Sequence, residues 1–205
     1  MKLGIFGGTF DPVHFGHLLL AEQCREQCGL DEVRFVPAGT PPHKLVQAIA
    51  PGKQRAEMLD LAMSWHAAFR IDRRELARRG PSYTVETLRD LHAEDAAREL
   101  FFLLGADSLA DLSTWREPRA IFELATLVVV NRGDRPPPDA APVWQTLGAD
   151  FSHRLQVVSI PACDLASSDI RRRVGAGLSI RFMVPRAVEC YIETHRLYLP
   201  EAVEV

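Results

Sequence analysis

Short apolar runs, rich in β-branched and aromatic residues, alternate along the chain with stretches in which apolar positions return at helical spacing. The runs have the length of buried strands, and glycine, proline or polar residues bound most of them. They predict strands at residues 3–6, 33–37, 68–71, 100–104, 126–130 and 155–160. The intervening patterns predict helices at residues 16–28, 52–65, 84–97, 107–112, 118–124, 168–176 and 185–195.

Continuously apolar strands that alternate with helices are typical of a mainly parallel sheet covered on both faces. The pattern therefore predicts an α/β fold, a Rossmann-like, doubly wound and mostly parallel sheet with a small C-terminal helical portion at residues 166–205. The length suits a single domain over residues 1–205. Residues 133–152 contain a proline cluster and predict an exposed connection with one short helix near residues 143–147.

Composition narrows the classes of partner. Hydrophobic residues make up 47% of the chain, charged residues 25%, and the formal net charge is −3. This balance argues against nucleic acid as a partner, and no segment is apolar enough to predict a membrane span. We expect a cytoplasmic protein, because no long apolar signal region precedes the first predicted strand, and we expect its four cysteines to be reduced in that compartment. The spacing of the cysteines matches no zinc site. Whether it forms a homo-oligomer stays open.

The sharpest chemical signal follows the first predicted strand. Gly7, Gly8, Thr9 and Phe10 form a glycine turn, and His14, Gly16 and His17 then lead into the first helix. Backbone N–H groups and two imidazoles at a helix N-terminus suit a phosphate chain. The positive end of the helix dipole disfavours a charged imidazole, so His17 is predicted to act as a neutral donor. The alternative is a pair of surface or zinc-binding histidines.

Further polar residues follow other predicted strands, at the edge of a parallel sheet where ligands bind. Lys44 follows Pro41, Pro42 and His43, and this stretch alone favours an exposed lysine. Asp107 could accept hydrogen bonds from ribose hydroxyls or help to hold a metal ion; the alternative is that it caps a helix. Trp115 offers a flat face for stacking, or is a core residue. Arg132 ends the fifth strand; Trp65 and Trp144 are predicted to be packing residues.

Two hydroxyl-rich segments precede predicted helices. Ser167 and Ser168 could cap their helix and bind phosphate, with Arg171 one turn further on. The alternative there is a capped surface helix with solvated arginines. In the segment Ser82-Tyr83-Thr84, Ser82 or Thr84 could cap the next helix.

These motifs together resemble a known family. His14, Gly16 and His17 match the H-x-G-H signature of the nucleotidyltransferase superfamily, and with residues 7–12 they resemble nicotinate-nucleotide adenylyltransferases in particular. Residues 165–171 are similar to that family's I-S-S-T-x-I-R motif, although Ala166 replaces the first serine and Ser168 the threonine. The G-A-D-x-L…W pattern fits Asp107 and Trp115. Arg132 departs from the pattern because Gly133-Asp134 follows it rather than Pro-Gly.

The resemblance implies adenylyl transfer from ATP to nicotinate mononucleotide, which gives nicotinate adenine dinucleotide and pyrophosphate in NAD biosynthesis. Magnesium would arrive with ATP rather than in a resident metal site. The implied catalytic residues are His14, His17, Lys44 and Arg171. Implied ATP contacts are Gly7, Gly8, Thr9, Phe10, His14, His17, Ser167, Ser168 and Arg171. Implied mononucleotide contacts are Gly8, Thr9, Lys44, Tyr83, Thr84, Asp107, Trp115 and Arg132.

Two alternatives remain at this point. One is an adenylyltransferase for another acceptor, such as nicotinamide mononucleotide or phosphopantetheine. The other is a non-catalytic nucleotide-binding protein on the same fold, which loss of His17, Lys44 or Arg171 would favour; all three are present.

Overall fold

The fold is built on one parallel sheet. A computed structural model of the protein describes residues 1–39, 49–133 and 136–200. Within them, six strands pair in the order β3-β2-β1-β4-β5-β6, and every pairing is parallel. This confirms the predicted α/β class. The strands are β1 (Lys2–Gly8), β2 (Glu32–Pro37), β3 (Phe69–Ile71), β4 (Glu99–Gly105), β5 (Ala125–Arg132) and β6 (Leu155–Ile160).

Helices connect successive strands and close the chain. They are α1 (Phe15–Cys28), α2 (Gly52–Met63), α3 (Arg74–Ala77), α4 (Thr84–Glu94), α5 (Ala106–Ala110), α6 (Pro118–Leu124), α7 (Ala141–Leu147), α8 (Ser167–Gly175) and α9 (Arg186–Thr194). Short 3₁₀ turns lie at Leu112–Thr114 and Ala149–Arg154. The predicted helices all exist, with ends that shift by a few residues; α3 lacked a pattern long enough to predict it. None of these helices is long and apolar enough to cross a membrane.

The sheet has a hydrophobic cluster on each face. Strand β5 shows the division, because Val128 and Val130 belong to one cluster while Leu127 and Val129 belong to the other. Alternate residues of a strand point to opposite faces, so a strand covered on both sides must be apolar throughout. Burial of each such side chain contributes about 1.5–3 kcal/mol.

The strand register brings the functional loops to one edge. Gly8 at the end of β1 pairs with Pro37 at the end of β2. On the other side of β1, Gly105 at the end of β4 pairs with Val130 near the end of β5. Because the strands are parallel, the loops that follow them leave the sheet at the same edge.

The expectations for the proline-rich segment and for Trp65 need correction, while the expectation that Trp144 packs is confirmed. Residues 133–152 are not simply an exposed connection, because α7 buries Val143 and Leu147 and packs Trp144 on Phe122, with ring centres 5.3 Å apart. Trp65 was expected to pack, but it is 73% exposed. The reason is that α2 ends at Met63, so Trp65 lies beyond the helix and its buried face.

Candidate active site

Two adjoining cavities open at the carboxyl edge of the sheet. The smaller, of about 240 Å³, is lined by residues that include His14, His17, Asp107 and Arg132. The larger, of about 480 Å³, is lined by residues that include Gly8, Thr9, Ser82, Tyr83 and Thr84. Gly7, Phe102 and Trp115 line both cavities and form their common wall. Residues from distant motifs therefore meet around one divided space.

The two histidines lie against each other at the start of α1. Their rings stack with centres 3.7 Å apart and planes 27° apart. The backbone N–H of His14 donates a hydrogen bond to Nδ1 of His17 at 3.2 Å. An imidazole nitrogen that accepts carries no proton, so the neutral ring of His17 holds its proton on Nε2. Nε2–H is therefore the donor that His17 offers.

Aromatic packing and one glycine fix this arrangement. The ring of Phe10 contacts the ring of His17 edge-on, with centres 5.1 Å apart, and the ring of Phe6 lies 5.3 Å from Phe10 and 6.0 Å from His17. A Cβ at Gly16 would lie 3.0 Å from Nδ1 of His14 and 3.2 Å from Sγ of Cys163. Glycine is thus required for the close approach of these side chains.

Both histidines are held neutral. Burial, with a smaller effect of Arg132, lowers the pKa of His14 to about 4. Burial also lowers the pKa of His17 well below its usual value, and His14 and Arg132 add to this effect. The lowered pKa of His17 agrees with the prediction that this residue is a neutral donor. The main cause is burial rather than the helix dipole on which the prediction rested.

The C-terminal motif contacts the loop after β1 through its side chains. Ser167 Oγ donates to the carbonyl of Pro12 at 2.9 Å, and Arg171 Nη1 donates to the carbonyl of Asp11 at 2.7 Å. No side chain caps α8, so the expected serine cap is wrong. Neither cavity is lined by Ser167, Ser168 or Arg171. The side chain of Ser168 is exposed. Ser167 and Arg171 thus brace the loop that carries the histidines.

Phe10 also differs from expectation, because its side chain is 1% exposed and packs in the core. It supports His17 instead of lining either cavity. Lys44 lies outside the described residues.

Sequence reasoning missed a buried polar network beneath the glycine turn. Arg55 of α2 donates to the carbonyls of Thr9 at 2.7 Å, Ala38 at 2.8 Å and Ala50 at 3.0 Å. It thereby ties the loop after β1 to the loop after β2. Asp11, also buried, accepts a hydrogen bond from the hydroxyl of Tyr198. An arginine on a helical pattern gives no sequence signal of such contacts.

The larger cavity contains the N-terminus of α4. Tyr83 occupies the N-cap position without a side-chain cap, so the expected capping by Ser82 or Thr84 is wrong. The first N–H groups of a helix have no partner inside it. The N–H group of Thr84, which lines the cavity, is accordingly a donor there, and Ser82 Oγ is buried without a hydrogen-bond partner. This is an arrangement that can bind a carboxylate.

Glu75 of α3 is a second residue that the sequence did not reveal. It lines the larger cavity and accepts a hydrogen bond from Thr87 Oγ1 at 2.7 Å, while burial raises its pKa. Gly39 permits this packing, since a Cβ there would lie 2.4 Å from the carbonyl oxygen of Glu75.

The predicted ring-stacking and sugar-binding residues lie where the cavities join. Trp115 is half-buried and meets the ring of Phe102 edge-on, with centres 6.0 Å apart. Its indole forms part of the wall shared by both cavities. Asp107 is exposed at the smaller cavity, and Arg132 lies in the same lining.

Comparisons with known proteins identify the class to which the chain belongs. The Cytidylyltransferase-like family model matches residues 5–173. Solved structures of Plasmodium falciparum nicotinic acid mononucleotide adenylyltransferase, complexed with APC or with NaAD, share the fold at a TM-score of 0.73 and cover 96% of this chain. The complex with APC is 17% identical and covered over 96% of its own chain; the complex with NaAD is 16% identical and covered over 97%. The family-model match over most of the chain thus identifies an enzyme of the nucleotidyltransferase class.

Curated relatives specify the family. Two relatives, from Thermomicrobium roseum and Thermus thermophilus, carry the name "Probable nicotinate-nucleotide adenylyltransferase", and each is 46% identical to this chain. The matches cover 96% and 97% of this chain, and 91% and 100% of the respective relatives. The chain belongs to the nicotinate-nucleotide adenylyltransferase family.

Proposed function

We propose that this protein transfers the adenylyl group of ATP to nicotinate mononucleotide. A 5′-phosphate oxygen of the mononucleotide attacks the α-phosphorus in line. The new bond joins that oxygen to the α-phosphorus, and the bond from the α-phosphorus to the oxygen that bridges to the β-phosphate breaks. Pyrophosphate leaves, and nicotinate adenine dinucleotide remains. No covalent enzyme intermediate is needed, so the protein acts by positioning and by stabilising charge.

The paired cavities support this proposal most strongly. In it, the smaller cavity takes the phosphates of ATP beside His14 and His17, and the larger takes the pyridine ring. The ring stacks on Trp115, and its carboxylate accepts from Thr84 and neighbouring donors of α4. Asp107 accepts from a ribose hydroxyl. The reacting phosphates then meet near Gly7 and Gly8, where the absence of side chains permits close approach.

His17 has the role of an electrophilic donor in this mechanism. Its Nε2–H donates to the α-phosphate as negative charge grows in the transition state. A neutral donor held in place by the His14 backbone needs no reorganisation when the charge develops. The proposed contacts for the triphosphate and the leaving pyrophosphate are His14, Lys44, Ser168 and Arg171. For Ser168 and Arg171, this role requires the side chain to move toward the cavity.

Magnesium enters the proposal as part of the substrate, MgATP. Within residues 1–39, 49–133 and 136–200, no three His, Cys, Asp or Glu side chains group as metal ligands. Oxygen ligands from phosphates and water suit this ion, which keeps much of its hydration. We place the reaction in the cytoplasm, since the four cysteines are free thiols that suit a reducing compartment.

The test is to incubate the purified protein with ATP and magnesium, supplying nicotinate mononucleotide, nicotinamide mononucleotide or phosphopantetheine in turn. Pyrophosphate release is measured together with the mass of the dinucleotide product. We expect equal amounts of pyrophosphate and nicotinate adenine dinucleotide, with nicotinate mononucleotide as the best acceptor. Faster reaction with another acceptor, or none with any of them, contradicts the proposal.

A further inference from the structure

Arg116 lies at the rim of the larger cavity, directly after Trp115. Its guanidinium carbon lies 4.6 Å from the centre of the Tyr83 ring, a cation–π contact. Its Nη1 donates to Glu86 Oε1 at 3.0 Å. Tyr83 and Glu86 both belong to the start of α4, so two contacts hold this positive charge beside the N-terminus of that helix.

Arg116 is the one cationic side chain among the described residues that line this cavity, and Glu75 is the one anionic side chain. Glu86, in the first turn of α4, adds a second carboxylate near the same helix end. Without Arg116, an anionic ligand would face these carboxylates with only uncharged donors to hold it. The guanidinium is therefore the positive charge at this rim that partly offsets the two carboxylates and that an anionic ligand can approach.

We propose that Arg116 is a specificity-determining residue that makes the enzyme favour the acid, nicotinate mononucleotide, over the amide, nicotinamide mononucleotide. This inference rests on the proposed function. Uncharged donors such as Thr84 and Ser82 can bind either a carboxylate or an amide oxygen, so they discriminate weakly between the two. A fixed positive charge attracts only the carboxylate.

Charge, rather than shape, is the basis of the effect. The Arg116 side chain is 50% exposed, so salt in the solvent screens its attraction for the ligand. The preference for the acid should therefore weaken as ionic strength rises. Reaction with the amide should respond much less, since its ring substituent is neutral.

Arg89 provides a matched control. Its guanidinium pairs with Glu117, and its side chain is 47% exposed. Arg116 also approaches Glu117, at 3.9 Å, so both arginines belong to one surface charge cluster. Arg89 does not line the larger cavity. Removal of either arginine changes the net charge equally, but only Arg116 is placed to affect the bound ring.

The experiment measures kcat and KM for both mononucleotides in wild type, Arg116→Gln, Arg116→Lys and Arg89→Gln, at low and high salt. In Arg116→Gln, the acid-over-amide ratio of kcat/KM should fall by about fivefold, the scale of one exposed charge. The fall should come from KM for the acid. Arg116→Lys should keep most of the ratio, and Arg89→Gln all of it.

An unchanged ratio in Arg116→Gln, while the wild type favours the acid, overturns the role of Arg116 and leaves the proposed function standing. So does a preference that salt does not weaken, or an equal loss in Arg89→Gln. A wild type that converts neither mononucleotide overturns the proposed function itself, and with it this inference.

Discussion

The hydroxyl of Tyr198 donates a 2.7 Å hydrogen bond to Oδ1 of Asp11, a residue 187 positions earlier in the chain. Asp11 is 1% exposed, and its carbonyl accepts from Arg171. The C-terminal part of the chain thus fastens the loop that leads from the glycine turn to the histidines. Removal of one partner would leave a buried carboxylate oxygen with fewer donors.

Tyr198→Phe should lower the free energy of unfolding by about 1–3 kcal/mol, the cost of a buried acceptor that loses its donor. Urea unfolding followed by circular dichroism measures this change. Tyr191→Phe is the control, since Tyr191 donates to the more exposed Glu57. The decrease in the free energy of unfolding should be smaller in Tyr191→Phe than in Tyr198→Phe. Equal losses in the two variants would contradict a special role for the Asp11 contact.

The histidines make a spectroscopic prediction. Both have lowered pKa values, so both rings should stay neutral from pH 8 down to pH 6. In ¹⁵N-labelled protein, His17 should show the tautomer with its proton on Nε2, because Nδ1 accepts from His14. NMR correlation of ring nitrogens and protons measures both properties without substrate. A His17 titration near pH 6.5 would refute the neutral donor.

Acid should destabilise the fold through His14. Its pKa is about 4 when folded and about 6.5 when unfolded, so below pH 6.5 the unfolded chain binds a proton that the folded chain does not. The contribution of His14 to the free energy of unfolding is fully present above pH 6.5. It decreases as the pH is lowered from 6.5 to about 4. Between pH 7 and pH 5 the loss should be about 2 kcal/mol.

Urea unfolding at both pH values, compared between wild type and His14→Asn, isolates this contribution. The variant should lose less stability between pH 7 and pH 5 than the wild type does. An identical loss in the two proteins would mean that His14 is not held neutral by the fold.

Trp115→Ala should raise KM for the mononucleotide more than KM for ATP, because the stacking surface for the pyridine ring is lost. Trp115→Phe, which keeps an aromatic face, should recover most of the affinity. Steady-state kinetics with each substrate varied in turn measures both constants. Equal increases in the two KM values would argue against stacking of the pyridine ring, since the indole lines both cavities.

The sequence was informative where local pattern determines structure. Apolar runs located all six strands, and the spacing of His14, Gly16 and His17 placed the histidines at the start of α1. Local crowding explains why these motifs contain glycine, and Gly16 is an example, since a Cβ there would lie 3.0 Å from Nδ1 of His14. Such features depend on neighbours in the chain and can be read from it.

Contacts between distant segments could not be read in this way. Arg55 and Tyr198 join loops that only the folded chain brings together, and their residue types are equally common on surfaces. The predicted caps at the helix starts near Thr84 and Ser167 were wrong for the same reason, namely that contacts between distant segments cannot be read from the sequence. Their hydroxyl-bearing side chains suggested caps, but neither helix has a side-chain cap; Ser167 instead bonds the carbonyl of Pro12, far away in sequence.

In the proposed mechanism, Nε2–H of His17 stabilises charge at the α-phosphate. His17→Ala should lower kcat by about a hundredfold or more, as loss of one oxyanion donor does. The variant should fold normally, which circular dichroism and thermal unfolding can check. The same variant, combined with an analogue of ATP altered at the α-phosphate, tests whether His17 donates to that phosphate.

The most direct measurement compares ATP with the two diastereomers of its α-thio analogue, in wild type and in His17→Ala. Sulfur accepts hydrogen bonds weakly, so in the wild type one diastereomer should react much more slowly than ATP. In His17→Ala most of that difference should disappear, because the donor is already absent. Near-normal turnover of His17→Ala with ATP, or an undiminished thio effect, would contradict the account.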